Sequence, residues 1–117
     1  MRKRYLKKTF TLKRTVPDTE ILLHKRNLEC IRKNQTENSE DTLHFQCRVR
    51  QRKITKEEVR KLRKEGELID CRESDYKDID NPLFTYKICC KGKSGDKIIG
   101  IFIPVGMELI GITAWKE

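Results

Sequence analysis

The sequence has no apolar run long enough to cross a membrane. Its longest apolar stretch, IIGIFIPVG at residues 98–106, is far shorter than the ~20 residues that a spanning helix needs. The N-terminus, MRKRYLKKTFTLKR, is basic like the start of a signal peptide, but no apolar segment follows it. We therefore expect a protein of the cytoplasm that has no membrane partner.

The sequence also lacks the patterns of several common catalytic and metal sites. It has no C-x-x-C pair, no serine or cysteine nucleophile signature, no glycine-rich phosphate loop and no paired-carboxylate site. Its five cysteines are odd in number and irregularly spaced, which favours a reducing compartment over a disulfide framework. His44 and Cys47 have the spacing of half a zinc site, but no second pair follows. We expect no metal and no cofactor, and we predict that Cys47 is a buried thiol.

Positive charge is the most prominent property that the sequence does have. Of its 117 residues, 38% are charged, and the net charge is +9. A net positive charge of this size points to a polyanionic partner, such as nucleic acid, the ribosome, an acidic protein or an anionic membrane surface. The alternative is a soluble protein whose basic surface has no specific partner.

The first 41 residues differ in composition from the rest. Residues 1–15 carry seven basic residues and no acidic one, and they could form a strand from Lys8 to Lys13 or a basic arm that orders on a partner. A helix is predicted from a cap at Asp18 or Thr19 to about Lys33, followed by a polar loop or linker. We interpret this part as a basic arm and helix that could be an accessory segment.

Residues 42–117 are predicted to form the main domain. Thr42 is a helix cap, and a helix is predicted from Leu43 to Arg52. A second helix begins at a capping box of Thr55 and Glu58. It ends at Gly66, where a C-cap glycine is expected.

Four strands are predicted after this helix. Residues 84–90 alternate between apolar and polar side chains, as in a half-buried strand. Residues 98–103 are nearly all apolar, as in a central strand covered on both faces. The other boundaries are a strand start at Glu67, an acidic loop at 73–82, a hairpin turn at 92–96, a strand end at Pro104 and a last strand from Leu109 to Trp115. This order predicts an α+β fold, with two or three N-terminal helices packed on one face of a four-stranded, mainly antiparallel sheet.

His44, Arg48 and Arg52 follow one another at four-residue steps on a predicted helix. Neighbouring members are about 40° apart around the axis, so they can form one stripe. A histidine titrates near neutral pH and can move a proton, and an arginine binds phosphate with two parallel hydrogen bonds. Metal-free cleavage of RNA needs both functions. The alternative is a plain solvated helix face.

Other residues could complete such a site. Cleavage has three requirements: the 2′-hydroxyl loses a proton, the leaving 5′-oxygen gains one, and the charge on the phosphate is stabilised. His44 and Arg48 cover two of them, and the candidates for the third are Thr113, Tyr86 or a lysine of the 91–97 turn. We predict His44, Arg48 and Thr113 as the catalytic residues. Trp115 could stack on a base. His24 has no evident partner and is predicted to lie on the surface. The predicted nucleic-acid-binding residues are Arg52, Arg50, Lys53, Lys56, Tyr86, Lys91, Lys93 and Trp115.

Several short motifs of the chain occur together in a known family. They are His44, Arg48, Arg52 and Ile54, then TKEEV at 55–59, GELI at 66–69 and ITAW at 112–115. Over roughly residues 42–116 the chain resembles a small bacterial domain-of-unknown-function family, the one numbered 4258, and more distantly the RelE/ParE-like toxin fold. Lys53 departs from the family pattern, which often has glycine there, and residues 1–41 have no counterpart.

The resemblance implies a toxin, since RelE-like folds include ribosome-dependent and free ribonucleases and gyrase inhibitors. We expect a metal-independent endoribonuclease toxin of a toxin–antitoxin or related conflict system, which acts on RNA or the ribosome. A cognate antitoxin or immunity protein would be a further partner. The alternative is a non-catalytic module that binds nucleic acid or protein, such as a phage or regulatory protein. Fold analogy alone does not separate these functions.

Overall fold

The computed structural model describes residues 6–8, 17–34, 41–78 and 81–117. In these ranges the chain forms three helices and five strands. Their bounds, in chain order, are β1 Leu6–Lys8, α1 Asp18–Asn34, α2 Leu43–Gln51, α3 Lys56–Glu65, β2 Glu67–Asp78, β3 Asn81–Lys91, β4 Lys97–Val105 and β5 Glu108–Lys116.

The strands form one sheet in the order β1-β2-β3-β4-β5, and every neighbouring pair is antiparallel. The four long strands are a meander that follows the helices in sequence, so the predicted α+β fold is confirmed. The short strand β1 adds a fifth strand beside the distal end of β2. The rest of the strand considered at Lys8–Lys13 lies outside the described residues.

All three helices pack on the same face of the sheet. Leu28 and Ile31 of α1, Phe45 of α2 and Leu62 of α3 share one buried cluster with side chains of all four long strands. The strand members are Leu68, Cys71, Tyr86, Ile88, Ile98, Phe102, Leu109 and Ala114. We call this side of the sheet the helix face.

The opposite face of the sheet carries a second buried cluster. Ile103, Val105 and Ile110 form it, with Ile112 packed against them. Because β4 also sends Ile98 and Phe102 into the helix-face core, its side chains are buried on both faces. The prediction of a central strand covered on both faces is confirmed.

Local caps begin α2 and α3 as the sequence predicts. Thr42 caps α2, and Thr55 with Glu58 forms a complete capping box at the start of α3. Between these helices Lys53 has a φ of 54°, in the left-handed region that glycine adopts at lower cost. This conformation explains physically why a glycine would suit that position.

Two predicted strand boundaries and the predicted burial of Cys47 are wrong. The acidic segment at 73–82 is not a loop, because β2 continues to Asp78 and β3 starts at Asn81. Pro104 does not end β4, since it pairs with Leu109 inside the sheet. Cys47 is exposed rather than buried, and Val49, two residues further along α2, packs against the core instead. In the described ranges, no helix is long and apolar enough to cross a membrane.

Candidate functional site

Helix α2, which carries the His44 stripe, is fixed to the edge strand β5. The Thr42 hydroxyl accepts a hydrogen bond from the Phe45 amide at 3.1 Å and donates one to the Gly111 carbonyl at 3.0 Å. The Phe45 ring lies directly on Gly111, where an added Cβ would be 2.7 Å from ring atoms. Glycine at 111 therefore lets the first turn of α2 approach the sheet closely.

A buried ion pair holds the same helix end to α3. Arg63, which is 8% exposed, pairs with the Asp41 carboxylate just before α2. Asp41 also accepts a hydrogen bond from the Gly111 amide at 2.8 Å, and Arg63 donates one to the Leu109 carbonyl at 2.5 Å. The guanidinium carbon is 5.0 Å from the centre of the Phe102 ring. This network links α3, the start of α2 and β5, and it fixes where His44 projects.

His44 and Arg48 meet on the solvent side of α2. The Arg48 Nε is 3.5 Å from the His44 Nε2, and the Arg48 Nη1 is 3.3 Å from the Gln51 Oε1. A guanidinium only donates hydrogen bonds, so this contact requires a lone pair on Nε2 of His44. The first two members of the predicted stripe are thus side by side. Arg52 caps the helix end, where its backbone amide donates to the Arg48 carbonyl at 2.9 Å and its side chain is exposed.

Thr113 and Trp115 lie on the other side of the sheet. Thr113 pairs with Ile101, which alternates with Gly100 and Phe102, and both of those face the helices. Residues directly opposite on neighbouring strands point to the same face, so Thr113 points away from α2. Trp115 points the same way, with its ring centre 5.7 Å from the Lys87 Nζ. The sheet does not bring either residue to the His44–Arg48 pair.

Most of the other predicted binding residues gather at one end of the fold. The Glu58 carboxylate accepts hydrogen bonds from the Thr55 amide at 2.9 Å and the Lys93 amide at 3.1 Å, so it joins the turn before α3 to the β3–β4 hairpin. At the same turn, the Lys116 Nζ donates to the Lys53 carbonyl at 3.3 Å. We call this group the basic end, and its members are Lys53, Lys56, Lys91, Lys93 and Lys116. Arg50 is exposed on α2.

Tyr86 is not on the surface but at the floor of a cavity that sequence reasoning missed. Its side chain is fully buried on the helix face. Its hydroxyl is 2.7 Å from the His24 Nδ1 and accepts a hydrogen bond from the Asn27 Nδ2 at 3.1 Å. The cavity has a volume of about 500 Å³, and its lining residues are Glu20, Leu23, His24, Asn27, Phe84, Tyr86 and Pro104.

The prediction that His24 is a surface residue without a partner is wrong. Its ring centre is 4.5 Å from that of Phe84, and its Nδ1 contacts Tyr86. A signal was present in the sequence, because Ile21, His24, Leu28 and Ile31 share one helical face. Burial lowers the pKa of His24, against the opposing effect of the Glu20 carboxylate, and burial raises the pKa of Tyr86 to about 12. Both groups are therefore neutral at pH 7, and in the His24 tautomer that carries its proton on Nε2 the Tyr86 hydroxyl donates to Nδ1.

The lowered pKa of His24 predicts that the protein loses stability in mild acid. Between the folded pKa and the unfolded value of 6.5, the unfolded chain binds more protons, so the free energy of unfolding falls as pH falls. Protonation of Nδ1 would also remove the acceptor of the Tyr86 hydroxyl. Urea unfolding between pH 7.5 and 5 should show this slope, and His24→Gln should reduce it.

The second histidine provides the control for this measurement. His44→Gln removes the exposed imidazole and keeps the His24–Tyr86 contact, so the slope should remain. An unchanged slope in His24→Gln would show that other groups cause the pH dependence.

Comparison with known proteins gives a family but no activity. No curated protein and no solved structure matches the chain. The family match covers residues 42–115, from the cap of α2 to near the end of β5. The chain therefore belongs to the family described as Domain of unknown function (DUF4258).

Proposed function

We propose that this protein is a metal-independent endoribonuclease and acts as a toxin with a RelE/ParE-like fold. The observation that carries the proposal is the contact of the His44 imidazole with the Arg48 guanidinium on an anchored helix. The pair combines a titratable group with a fixed positive charge, and it is open to solvent. An open site of this kind suits a polymer better than a small molecule, since small-molecule sites are mostly enclosed.

The reaction would use the 2′-hydroxyl of RNA as the nucleophile. Nε2 of His44 takes the 2′ proton, the 2′-oxygen forms a bond to phosphorus, and the bond from phosphorus to the 5′-oxygen breaks. Arg48 binds the phosphate oxygens and stabilises their charge, and solvent supplies the proton for the 5′-oxygen. The products are a 2′,3′-cyclic phosphate and a 5′-hydroxyl. Because the Arg48–His44 contact is long and exposed, an incoming phosphate can replace it and leave Nε2 free.

The charge around the pair supports a nucleic-acid substrate. Arg50 and Arg52 lie on the same helix, and the basic end begins at its C-terminus through Lys53. Phosphate contacts of this kind supply affinity and position but no sequence preference. An RNA strand or ribosomal RNA would thus be held along α2 and the basic end. An acidic antitoxin or immunity protein would compete for the same charges.

The first test is cleavage of RNA by the purified protein and by His44→Ala. Loss of a general base typically lowers the rate by at least ~100-fold, and that is the expected effect. Cys47→Ser, an exposed change on the same helix, should retain activity. A substrate with a single 2′-deoxynucleotide at the cleavage position should not be cut. Cleavage by His44→Ala at the wild-type rate would refute the assignment.

A second candidate function is nucleic-acid binding without cleavage. The placement of Thr113 on the opposite face favours it, since the predicted third group does not reach the His44–Arg48 pair. This reading predicts that RNA survives intact while binding weakens with salt. For single strands, log affinity falls with log salt by ~0.7 per phosphate contact, so Arg52→Gln should reduce the slope by about that amount.

A further inference from the structure

The cavity between α1 and the sheet has no role in the cleavage step proposed above. It lies where His24 and Asn27 of α1 cover Tyr86 and Phe84 of β3. Its volume of about 500 Å³ is in the usual range of ligand pockets, roughly 300–1,000 Å³. The floor is polar and satisfied, because the Tyr86 hydroxyl already bonds to both α1 side chains. A ligand would therefore meet the walls and the rim.

The walls of the cavity are aromatic and apolar, and the lining residues that the structure describes include no positively charged side chain. Phe84 and His24 present two rings with centres 4.5 Å apart, tilted by 54°. Leu23 and Pro104 add apolar surface, and none of the described lining residues is a lysine or an arginine. The acidic group in the lining is the Glu20 carboxylate. A phosphate is thus a poor fit, while a flat, neutral ring with hydrogen-bond donors on its edge is a good one.

We propose that this cavity binds one unstacked nucleobase that carries an exocyclic amino group. The base would stack against Phe84 and pack on Leu23, and its amino group would donate to Glu20. Bases of single-stranded RNA are commonly recognised by stacking on aromatic side chains and by hydrogen bonds to their edges. Nε2 of His24 would be the donor to a ring nitrogen or carbonyl, because Nδ1 is used by Tyr86.

The position of the cavity relates it to the proposed cleavage site, so this inference rests on the proposed function. Tyr86 pairs with Phe102, and Phe102 pairs with Gly111, on which the first turn of α2 is seated. Strands are ~4.8 Å apart, so Tyr86 and Gly111 are separated by about 10 Å on the helix face. A strand held by Arg48 could reach the cavity within a few nucleotides. The cavity would then select the base near the cleaved bond.

The test uses free nucleosides, which lack phosphate and so avoid the basic surface. Adenosine, guanosine, cytidine and uridine are titrated into the ¹⁵N-labelled full chain, and shifts of amides near Phe84 and Asn27 are followed. Saturable binding with a preference for amino-bearing bases is expected. Phe84→Leu should weaken it by ~10-fold or more, in line with the usual effect of losing base–aromatic stacking.

Two adjacent leucines give a matched pair of variants for this experiment. Leu22 and Leu23 are each 62% exposed on α1, but Leu23 lines this cavity and Leu22 lies on the other side of the helix. Leu23→Ala should weaken nucleoside binding, and Leu22→Ala should not. Because both side chains are exposed, neither change should unfold the protein. Equal effects of the two variants would overturn the proposal.

The result separates this inference from the cleavage proposal. No saturable shift with any nucleoside at millimolar concentration would overturn the cavity assignment, even if His44→Ala abolishes RNA cleavage. Binding of a nucleoside that Leu23→Ala weakens would support the cavity, even if the protein cleaves no RNA. Saturation of the cavity by peptides but not by nucleosides would assign it to a protein partner and would also overturn the proposal.

Discussion

Arg63→Ala should destabilise the protein by about 3–5 kcal/mol, which is a large part of the stability of a small domain. The change leaves the Asp41 carboxylate without its cation, and it removes the hydrogen bond to the Leu109 carbonyl. It also removes the guanidinium that packs on Phe102 and Phe45. Urea unfolding followed by circular dichroism would measure the loss. Since the network positions α2, the proposed cleavage of RNA should fall with it.

Two further variants show whether the ion pair causes this effect. Lys64→Ala changes the next residue of α3, which is exposed, and should alter the free energy of unfolding by less than ~0.5 kcal/mol. Arg63→Met combined with Asp41→Asn removes both charges and lets the amide oxygen accept from Gly111. The double variant should be more stable than Arg63→Ala. A loss below 0.5 kcal/mol in Arg63→Ala itself would contradict the role of the buried pair.

The helices could be predicted from the sequence because their signals are local. The capping box of Thr55 and Glu58 needs only side chains three residues apart, and α3 begins there. Helix α1 begins at Asp18, so the predicted start is right, but Asp18 is the first helical residue rather than the cap. The contact between His44 and Arg48 follows from helical spacing alone once α2 exists.

The strand ends could not be predicted in the same way, because partners elsewhere in the chain determine them. The acidic segment after Glu73 looks like a loop by composition, yet Lys77 pairs with Pro82, and β1 pairs with the same end of β2. Pro104 looks like a terminator, yet its pairing with Leu109 continues the strand. Composition describes each residue alone, while a ladder depends on both strands.

The residues of the candidate site that come together could not be predicted from the sequence either, because they depend on distant parts of the chain. Alternation in β5 predicts that Thr113 and Ala114 face opposite sides, but it does not say which side the helices cover. Gly111 lies under Phe45 on the helix face, so unbroken alternation would place Thr113 on that face too. An irregularity in the β4–β5 register, which leaves Ile112 between the paired residues Gly111 and Thr113, turns Thr113 to the opposite face and separates it from His44. His24 was missed for a related reason. Its place on the apolar face of α1 was visible, but its partner Tyr86 is 62 residues away in sequence.

Gly66→Ala should destabilise the protein by about 3 kcal/mol, with a fall in melting temperature of about 10 °C. Gly66 has a φ of −60° and a ψ of 148°, which any residue can adopt, so the cost does not come from backbone conformation. The cost comes from steric overlap of the added methyl group with its neighbours. An added Cβ would be 2.4 Å from the Ile88 Cγ2 and 2.6 Å from the Leu62 carbonyl oxygen. The carbonyl belongs to the last turn of α3 and cannot move without shifting the helix.

The same shift should reach the cavity between α1 and the sheet. The Arg32 side chain donates hydrogen bonds to the Gly66 carbonyl at 2.5 Å and to the Arg63 carbonyl at 2.7 Å, which ties α1 to the end of α3. The measurement is thermal unfolding of Gly66→Ala. Its control is Glu65→Ala, which changes an exposed side chain one residue earlier. Glu65→Ala should unfold near the wild-type temperature. If Gly66→Ala does so too, α3 is not packed against β3 as closely as these distances require.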